Sequence, residues 1–210
     1  VRIAVLGATG RTGRLVIDTL HAGGHDVRVL VRKPDRLEAP GRMPVVTGDT
    51  RDIAALRQVV DGVDAVISAL GPAGRDPGLM SQTATALSTV MGESGVSRFV
   101  GVGVAGLTIP GDRKGPRDAA ISWVMNTFGG QLAADRRAEY DTWKASTAQW
   151  TLLRVPRLVN APAGRVTVDA HTPGRRATLS RASLAQLLVS ETVERSFVRA
   201  APFVSDATDA

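Results

Sequence analysis

The chain has 210 residues, 43% of them apolar, and a formal charge of +6 from 26 Lys and Arg against 20 Asp and Glu. That length suits one α/β domain with a proper core. The absence of cysteine excludes disulfides, thiolate metal sites, iron–sulfur clusters and a cysteine nucleophile.

No apolar run approaches the ~20 residues that span a bilayer. The first apolar stretch, Ile3 to Leu6, runs straight into a glycine loop, as a strand does and a signal peptide does not. The arginines are scattered, with no basic helix and no basic–aromatic alternation, so neither membrane nor nucleic acid is expected as a partner. The positive balance suits a phosphate-bearing ligand instead. We expect a cytoplasmic protein, and a monomer and a homodimer are both compatible with this reading.

The N-terminal two-thirds alternates strand and helix. Residues 2–6 read as a strand ending at Gly7. Residues 12–22 carry Leu15, Val16 and Leu20 at helical spacing and stop at Gly23-Gly24, a helix-ending signal. Strands follow at 26–31 and 43–47, a helix at 52–60, a strand at 64–68, a helix at 79–94 closed by Gly95, and a strand at 98–104. Such alternation means βαβ units, a parallel sheet and right-handed crossovers. The expected fold is therefore α/β, a doubly wound sheet of order 3-2-1-4-5-6 forming one domain over residues 1–210. Beyond residue 104, helices are expected at 119–128 and 132–146, a strand at 150–154, and a helix at 180–194 with Ser180 as its cap. Residues 107–130 and 156–178 read as substrate-side segments, the latter irregular. A short seventh strand is expected at 197–200.

The segment Gly7-Ala8-Thr9-Gly10-Arg11-Thr12-Gly13 lies between the first strand and the first helix. Glycines let the backbone approach a pyrophosphate closely, and the helix N-terminus faces its charge. Strand, G-x-x-G-x-x-G and helix together point to a dinucleotide. An NAD site places a carboxylate at the end of the second strand, but here that strand ends in Arg32-Lys33. A guanidinium grips the 2′-phosphate of NADP, so NADP(H) is the expected cofactor. Arg11 is placed to approach the same phosphate from the other side. A solvated strand end is the other reading of Arg32 and Lys33. Asp49 is placed either to accept from the adenine amino group or to cap the helix near Asp52. Ser68-Ala69-Leu70-Gly71 puts Ala69, Leu70 and Gly71 against the adenosine and pyrophosphate.

These pieces resemble the atypical short-chain dehydrogenase/reductase superfamily. Within it the chain is most similar to the single-domain branch of biliverdin-IXβ (flavin) reductases and NmrA-like proteins. The resemblance also rests on Leu30-Val31-Arg32, Gly48-Asp49, Trp150-Thr151-Leu152-Leu153-Arg154-Val155-Pro156 and Ser180-Arg181-Ala182-Ser183. It implies that the glycine loop and Arg32 hold NADP, that the segment around Val155-Pro156 borders the nicotinamide, and that hydride leaves NADPH; Val102 is read as a further cofactor-binding residue.

Hydride transfer needs proximity, a proton source and charge stabilisation. Typical members of the superfamily use a Ser and Tyr-x-x-x-Lys. The one tyrosine sits in Tyr140-Asp141-Thr142-Trp143-Lys144, but Lys144 is six residues before Trp150, too late in its helix to reach the crevice. The last strand residues before the loop, Gly101 to Gly106, contain no hydroxyl. Arg136 matches the position of the basic residue used in this branch; it can bind ribose or a substrate anion but cannot act as an acid. Tyr140 reads either as a general acid or as a packed helix residue. The small residues at 101–106 read as room for a flat acceptor.

The three His do not cluster and no metal site is expected. The reading is an NADPH-dependent oxidoreductase acting on a planar flavin-, quinone- or tetrapyrrole-like acceptor, with solvent as the proton source. The alternatives are a non-catalytic NADP(H)-sensing regulator and a nucleotide-sugar epimerase or dehydratase. Trp123, Met125 and Phe128 read as ordinary core or as an apolar pocket lining.

Overall fold

A computed structural model describes residues 1–38, 40–71, 76–116, 119–120 and 130–207. Its strands are β1 Arg2–Leu6, β2 Asp26–Val31, β3 Val45–Thr47, β4 Ala65–Ser68, β5 Arg98–Val104, β6 Gln149–Val155, β7 Arg157–Val159, β8 Val166–Asp169, β9 Thr178–Ser180 and β10 Phe203–Asp206. Its helices are α1 Arg11–Ala22, α2 Ile53–Val60, α3 Leu79–Ser94, α4 Gly130–Ala145 and α5 Arg181–Glu194. An eight-stranded sheet runs in the order β3-β2-β1-β4-β5-β6-β10-β8. The six strands read from the sequence stand in the doubly wound order, all parallel to their neighbours. β10 continues the parallel run beside β6, and β8 closes the edge antiparallel to β10.

Ile3, Ala4, Val5 and Leu6 have no exposed surface, as befits a central parallel strand covered on both faces. One face carries α1 and α5, with Val16, Ile17 and Leu20 packed in one cluster with Leu184, Leu188 and Val189. The other carries α2, α3 and α4 over Leu56, Leu87, Tyr140 and Trp143. The local stop and start signals operate as chemistry dictates. Asp52 accepts from the Ala54 N–H at 2.9 Å to cap α2. Ser180 accepts from Ala182 and Ser183 to cap α5. Gly95 takes a left-handed turn to close α3.

Two expectations are corrected, and a third cannot be followed in the described residues. Residues 156–178 are not wholly irregular: β7 and β9 pair as a small parallel sheet and β8 joins the main one. The seventh strand of the sheet is β10, at 203–206 rather than 197–200. Arg199 has φ 56°, a left-handed conformation no strand tolerates, and only an isolated bridge ties Ala200 to Thr151. The helix expected at 119–128, with Trp123, Met125 and Phe128, lies almost entirely outside the described residues.

Candidate cofactor cleft at the carboxyl edge of the sheet

The cleft opens where the strand order reverses beside β1. Gly7 turns with φ 79°, its carbonyl accepts from the Gly10 N–H at 3.0 Å, and the Gly10 carbonyl accepts from the Arg14 N–H at 3.0 Å. A Cβ on Gly7 would stand 2.9 Å from the Ala69 backbone, and one on Gly13 would stand 2.1 Å from the Gly7 carbonyl oxygen. Gly7 and Gly13 therefore let the loop, the end of β4 and the first turn of α1 close on one another. Thr12 and Gly13 are buried beneath the loop. Thr9 and Gly10 line the cleft with Gly7. Leu30, Val31 and Arg32 form its second wall, Gly48 to Thr50 its third, and Ala69, Leu70 and Gly71 the side nearest the loop.

Arg32 lies in this lining, exposed, with no hydrogen bond or ion pair to any described residue. Arg11 also makes none among them. It is Arg14, ion-paired with Glu38 and donating to the Arg36 carbonyl at 3.4 Å, that faces the segment after β2.

Asp49 does not cap α2; Asp52 does. Its carboxylate accepts from Arg51 Nε at 2.8 Å, Arg51 Nη2 at 3.1 Å and the Arg51 N–H at 3.0 Å. These bonds hold its pKa below the usual carboxylate range. Arg51 also reaches Asp76 at 3.1 Å, so one guanidinium joins the end of β3 to the approach to α3. The sequence reading missed this network, although the Asp-x-Arg spacing was its local signal.

Arg136 is 3% exposed and donates to the Val102 carbonyl at 3.0 Å and to Glu139 at 2.7 Å. Burial raises the Glu139 pKa against the opposing pull of Arg136. Tyr140 is buried, edge-on to Trp150 at 5.8 Å between centroids, and burial raises its phenol pKa. Trp150 is the second residue of β6, at the end of the strand away from the cleft. The Lys144 carbonyl accepts from Arg199 at 3.0 Å at that same end. Pro156, half-buried, follows β6 directly.

At Gly101 the room expected over β5 is filled by the protein itself. A Cβ on Gly101 would meet the Phe99 ring at 2.7 Å, and that ring stacks on Trp143 at 3.8 Å. A second hub escaped the sequence reading. Arg154, fully buried, pairs bidentately with Asp112 at 2.7 and 2.8 Å and donates to the carbonyls of Ala201, Leu107 and Ala170. Its plane covers Phe203 at 3.6 Å. No sequence signal joins residues 112 and 154. No group of metal-ligating side chains occurs among the described residues, and no described helix is long and apolar enough to cross a membrane.

Residues 7–194 match a family model described as NAD(P)H-binding, and the chain belongs to that family. Among solved structures it is similar to a short-chain dehydrogenase/reductase from Veillonella parvula DSM 2008, with TM-score 0.82, 18% identity and coverage of 98% of this chain and 94% of that one. It is also similar to an anaerobillin reductase from Escherichia coli O157:H7, with TM-score 0.79, 16% identity and full coverage of both. A curated relative, a (4-alkanoyl-5-oxo-2,5-dihydrofuran-3-yl)methyl phosphate reductase from Streptomyces griseus, is 48% identical over 65 residues. That match spans 30% of this chain and only 23% of the relative. An NADP complex is known for the Veillonella fold, 19% identical to this chain.

Proposed function

We propose that this chain is an NADPH-dependent reductase that passes hydride to a flat conjugated acceptor of the flavin, quinone or tetrapyrrole kind. The observation that carries the cofactor choice is Arg32: a free guanidinium at the end of β2, where an NAD site needs a carboxylate. The loop supports the fit, because Gly7, Thr9 and Gly10 expose backbone to the cleft at the start of α1.

In this reading the backbone of Gly7 to Gly13, including Arg11 and Thr12, takes the pyrophosphate. Arg32 grips the 2′-phosphate. Ala69, Leu70 and Gly71 flank the adenosine, and Asp49 presents its remaining lone pairs to the adenine amino group while Arg51 fixes its plane. Val102 and Pro156 border the nicotinamide. Bound NADPH supplies the hydride. The chain holds the two rings together, excludes water and leaves protonation to solvent, because β5 ends without a hydroxyl and Tyr140 packs on Trp150. Arg136, neutralised by Glu139 and bonded to the Val102 carbonyl, positions β5 against α4 rather than meeting the acceptor. The names of the Streptomyces and Escherichia relatives, both reductases, support this reading.

The missing hydroxyl and the packed Tyr140 also favour a second reading, an NADP(H)-responsive regulator that does no chemistry. Steady-state oxidation of NADPH with FMN, menadione and biliverdin separates the two. Acceptor-dependent loss of the nicotinamide absorbance supports the reductase; tight NADPH binding with no turnover on any acceptor supports the regulator.

A further inference from the structure

We propose that Arg51, standing behind the cleft wall, makes the cofactor cleft select adenine over hypoxanthine by fixing the carboxylate of Asp49. This rests on the NADP(H) reading and names a specificity-determining residue for it. Arg51 is a positioning residue, acting through Asp49 rather than on the nucleotide. Gly48 seats the pair. A Cβ there would stand 2.5 Å from the Ala55 side chain, so the end of β3 lies directly on α2, and the Gly48 N–H donates to the Val31 carbonyl at 3.0 Å. Asp49 and Thr50 follow on the same wall of the cleft. The Thr50 hydroxyl is already engaged, 2.8 Å from the Thr83 hydroxyl and buried. Leu30, Leu70 and Leu79 make the neighbouring lining apolar. Asp49 is therefore the side chain on this wall with hydrogen-bonding capacity left for the edge of a base.

The clasp determines where that capacity lies. Oδ1 of Asp49 accepts from the Arg51 N–H at 3.0 Å and from Nε at 2.8 Å, and Oδ2 accepts from Nη2 at 3.1 Å. A carboxylate has about four acceptor positions, so what remains is at Oδ2. The backbone bond is an Asx turn, which needs only neighbouring residues. The fork adds something else: a guanidinium on both oxygens fixes the plane of the carboxylate. Arg51 is itself held from the far side, where Nη1 donates to Asp76 Oδ1 at 3.1 Å. It lines the outer groove beside α3 and α4, with Ser81, Gln82 and Thr85, and does not line the cleft. The bond from Arg51 also holds the Asp49 pKa below the ordinary carboxylate range, so Asp49 accepts and has no proton to give. Adenine offers an exocyclic amino donor. Hypoxanthine has a carbonyl in that place, which a carboxylate repels, and its nearest donor is the ring N–H beside it. A carboxylate free to turn would follow that donor; one clamped by a fork stays where the amino group belongs. The mismatched base then leaves a polar group of the site unpaired, which is the costly outcome.

The test is an equilibrium fluorescence titration of NADPH and of its hypoxanthine analogue, reduced nicotinamide hypoxanthine dinucleotide phosphate, into the full chain. It compares wild type, Arg51→Met, Arg51→Lys and Asp76→Asn, with thermal unfolding to show that each variant is folded. Wild type should bind NADPH about ten- to hundredfold more tightly than the analogue, the worth of one hydrogen bond to a charged group. Arg51→Met should shrink that preference to within about threefold, chiefly by weakening NADPH. Arg51→Lys keeps the charge without the fork and should fall between the two. Asp76→Asn, outside the cleft lining, should lower the preference about two- to fivefold, the range of a part-exposed ion pair. Equal weakening of both nucleotides in Arg51→Met, with the preference unchanged, makes the clasp merely structural and overturns the assignment. If Arg51→Met does not fold, an unchanged preference in both Arg51→Lys and Asp76→Asn overturns it in the same way. A wild type that binds both nucleotides equally overturns this assignment and leaves the NADP(H) reading standing. Binding of neither nucleotide overturns the NADP(H) reading and this assignment with it.

Discussion

Arg154 uses five N–H donor contacts, two on Asp112 and three on backbone carbonyls. It thereby ties the loop after β5, the turn after β8 and the approach to β10 to one strand. Removing one member of a buried pair leaves an uncompensated charge, at a cost of about 3–5 kcal/mol. Asp112→Ala should lower the unfolding free energy by about that much in urea titrations, whereas removing both charges with Asp112→Leu and Arg154→Met should cost less. Tyr140→Phe tests a different residue. A general acid is worth about 10²–10⁴ in rate, but a phenol packed on Trp150 should leave acceptor reduction within a few-fold.

Asp49 has a pH consequence. Its folded pKa is depressed by Arg51, so the stability it contributes is present above the unfolded carboxylate pKa of about 3.9 and is lost as pH falls through the lower folded value. Urea midpoints of wild type and Asp49→Asn should therefore differ at neutral pH and converge in acid. A gap that persists in acid would remove the pairing as its cause.

Among the elements, α3 begins at Gly78 without a side-chain cap of its own. Asp135 of α4 supplies one from a distance, accepting from the Met80 N–H at 3.0 Å, the Ser81 N–H at 2.9 Å and the Ser81 hydroxyl at 2.6 Å. Asp135→Ala should destabilise by about 0.5–2 kcal/mol as a lost cap, with Asp135→Asn recovering part; thermal unfolding checks both. Gly13→Ala should cost about 1–3 kcal/mol, since its Cβ must displace the Gly7 backbone.

The elements that the sequence makes legible are those stabilised locally. The periodicity of α1, the apolar runs of β1 and β4, and the Asp52, Ser180 and Gly95 signals all act within a few residues. The Asp135 cap, the Arg154 hub and the pairing of β7 with β9 join residues far apart in the chain, and nothing in their neighbourhoods announces the partner. The strand expected at 197–200 failed because a left-handed Arg199 carries no sequence mark, unlike a glycine. In the cleft, the glycine loop and Arg32 were legible as a motif in context. The Arg51 clasp on Asp49 was overlooked within a legible spacing.

At the scale of the whole molecule, helices on both faces bury the sheet and leave its carboxyl edge as the place where loops meet. The glycine loop, the end of β2 and the end of β4 line one cleft there, and the buried ion pairs Arg136–Glu139 and Arg154–Asp112 fix the elements around it. In the proposed reaction the chain supplies position and the bound nucleotide supplies the hydride. The central claim is that this cleft holds NADPH with Arg32 on its 2′-phosphate. An equilibrium fluorescence titration of NADPH and NADH into wild type and Arg32→Ala tests it most directly. The account predicts that wild type prefers NADPH, and that Arg32→Ala weakens NADPH about ten- to hundredfold, the worth of a charge-assisted contact, while NADH changes little. Equal loss for both nucleotides, or no loss for either, would contradict it.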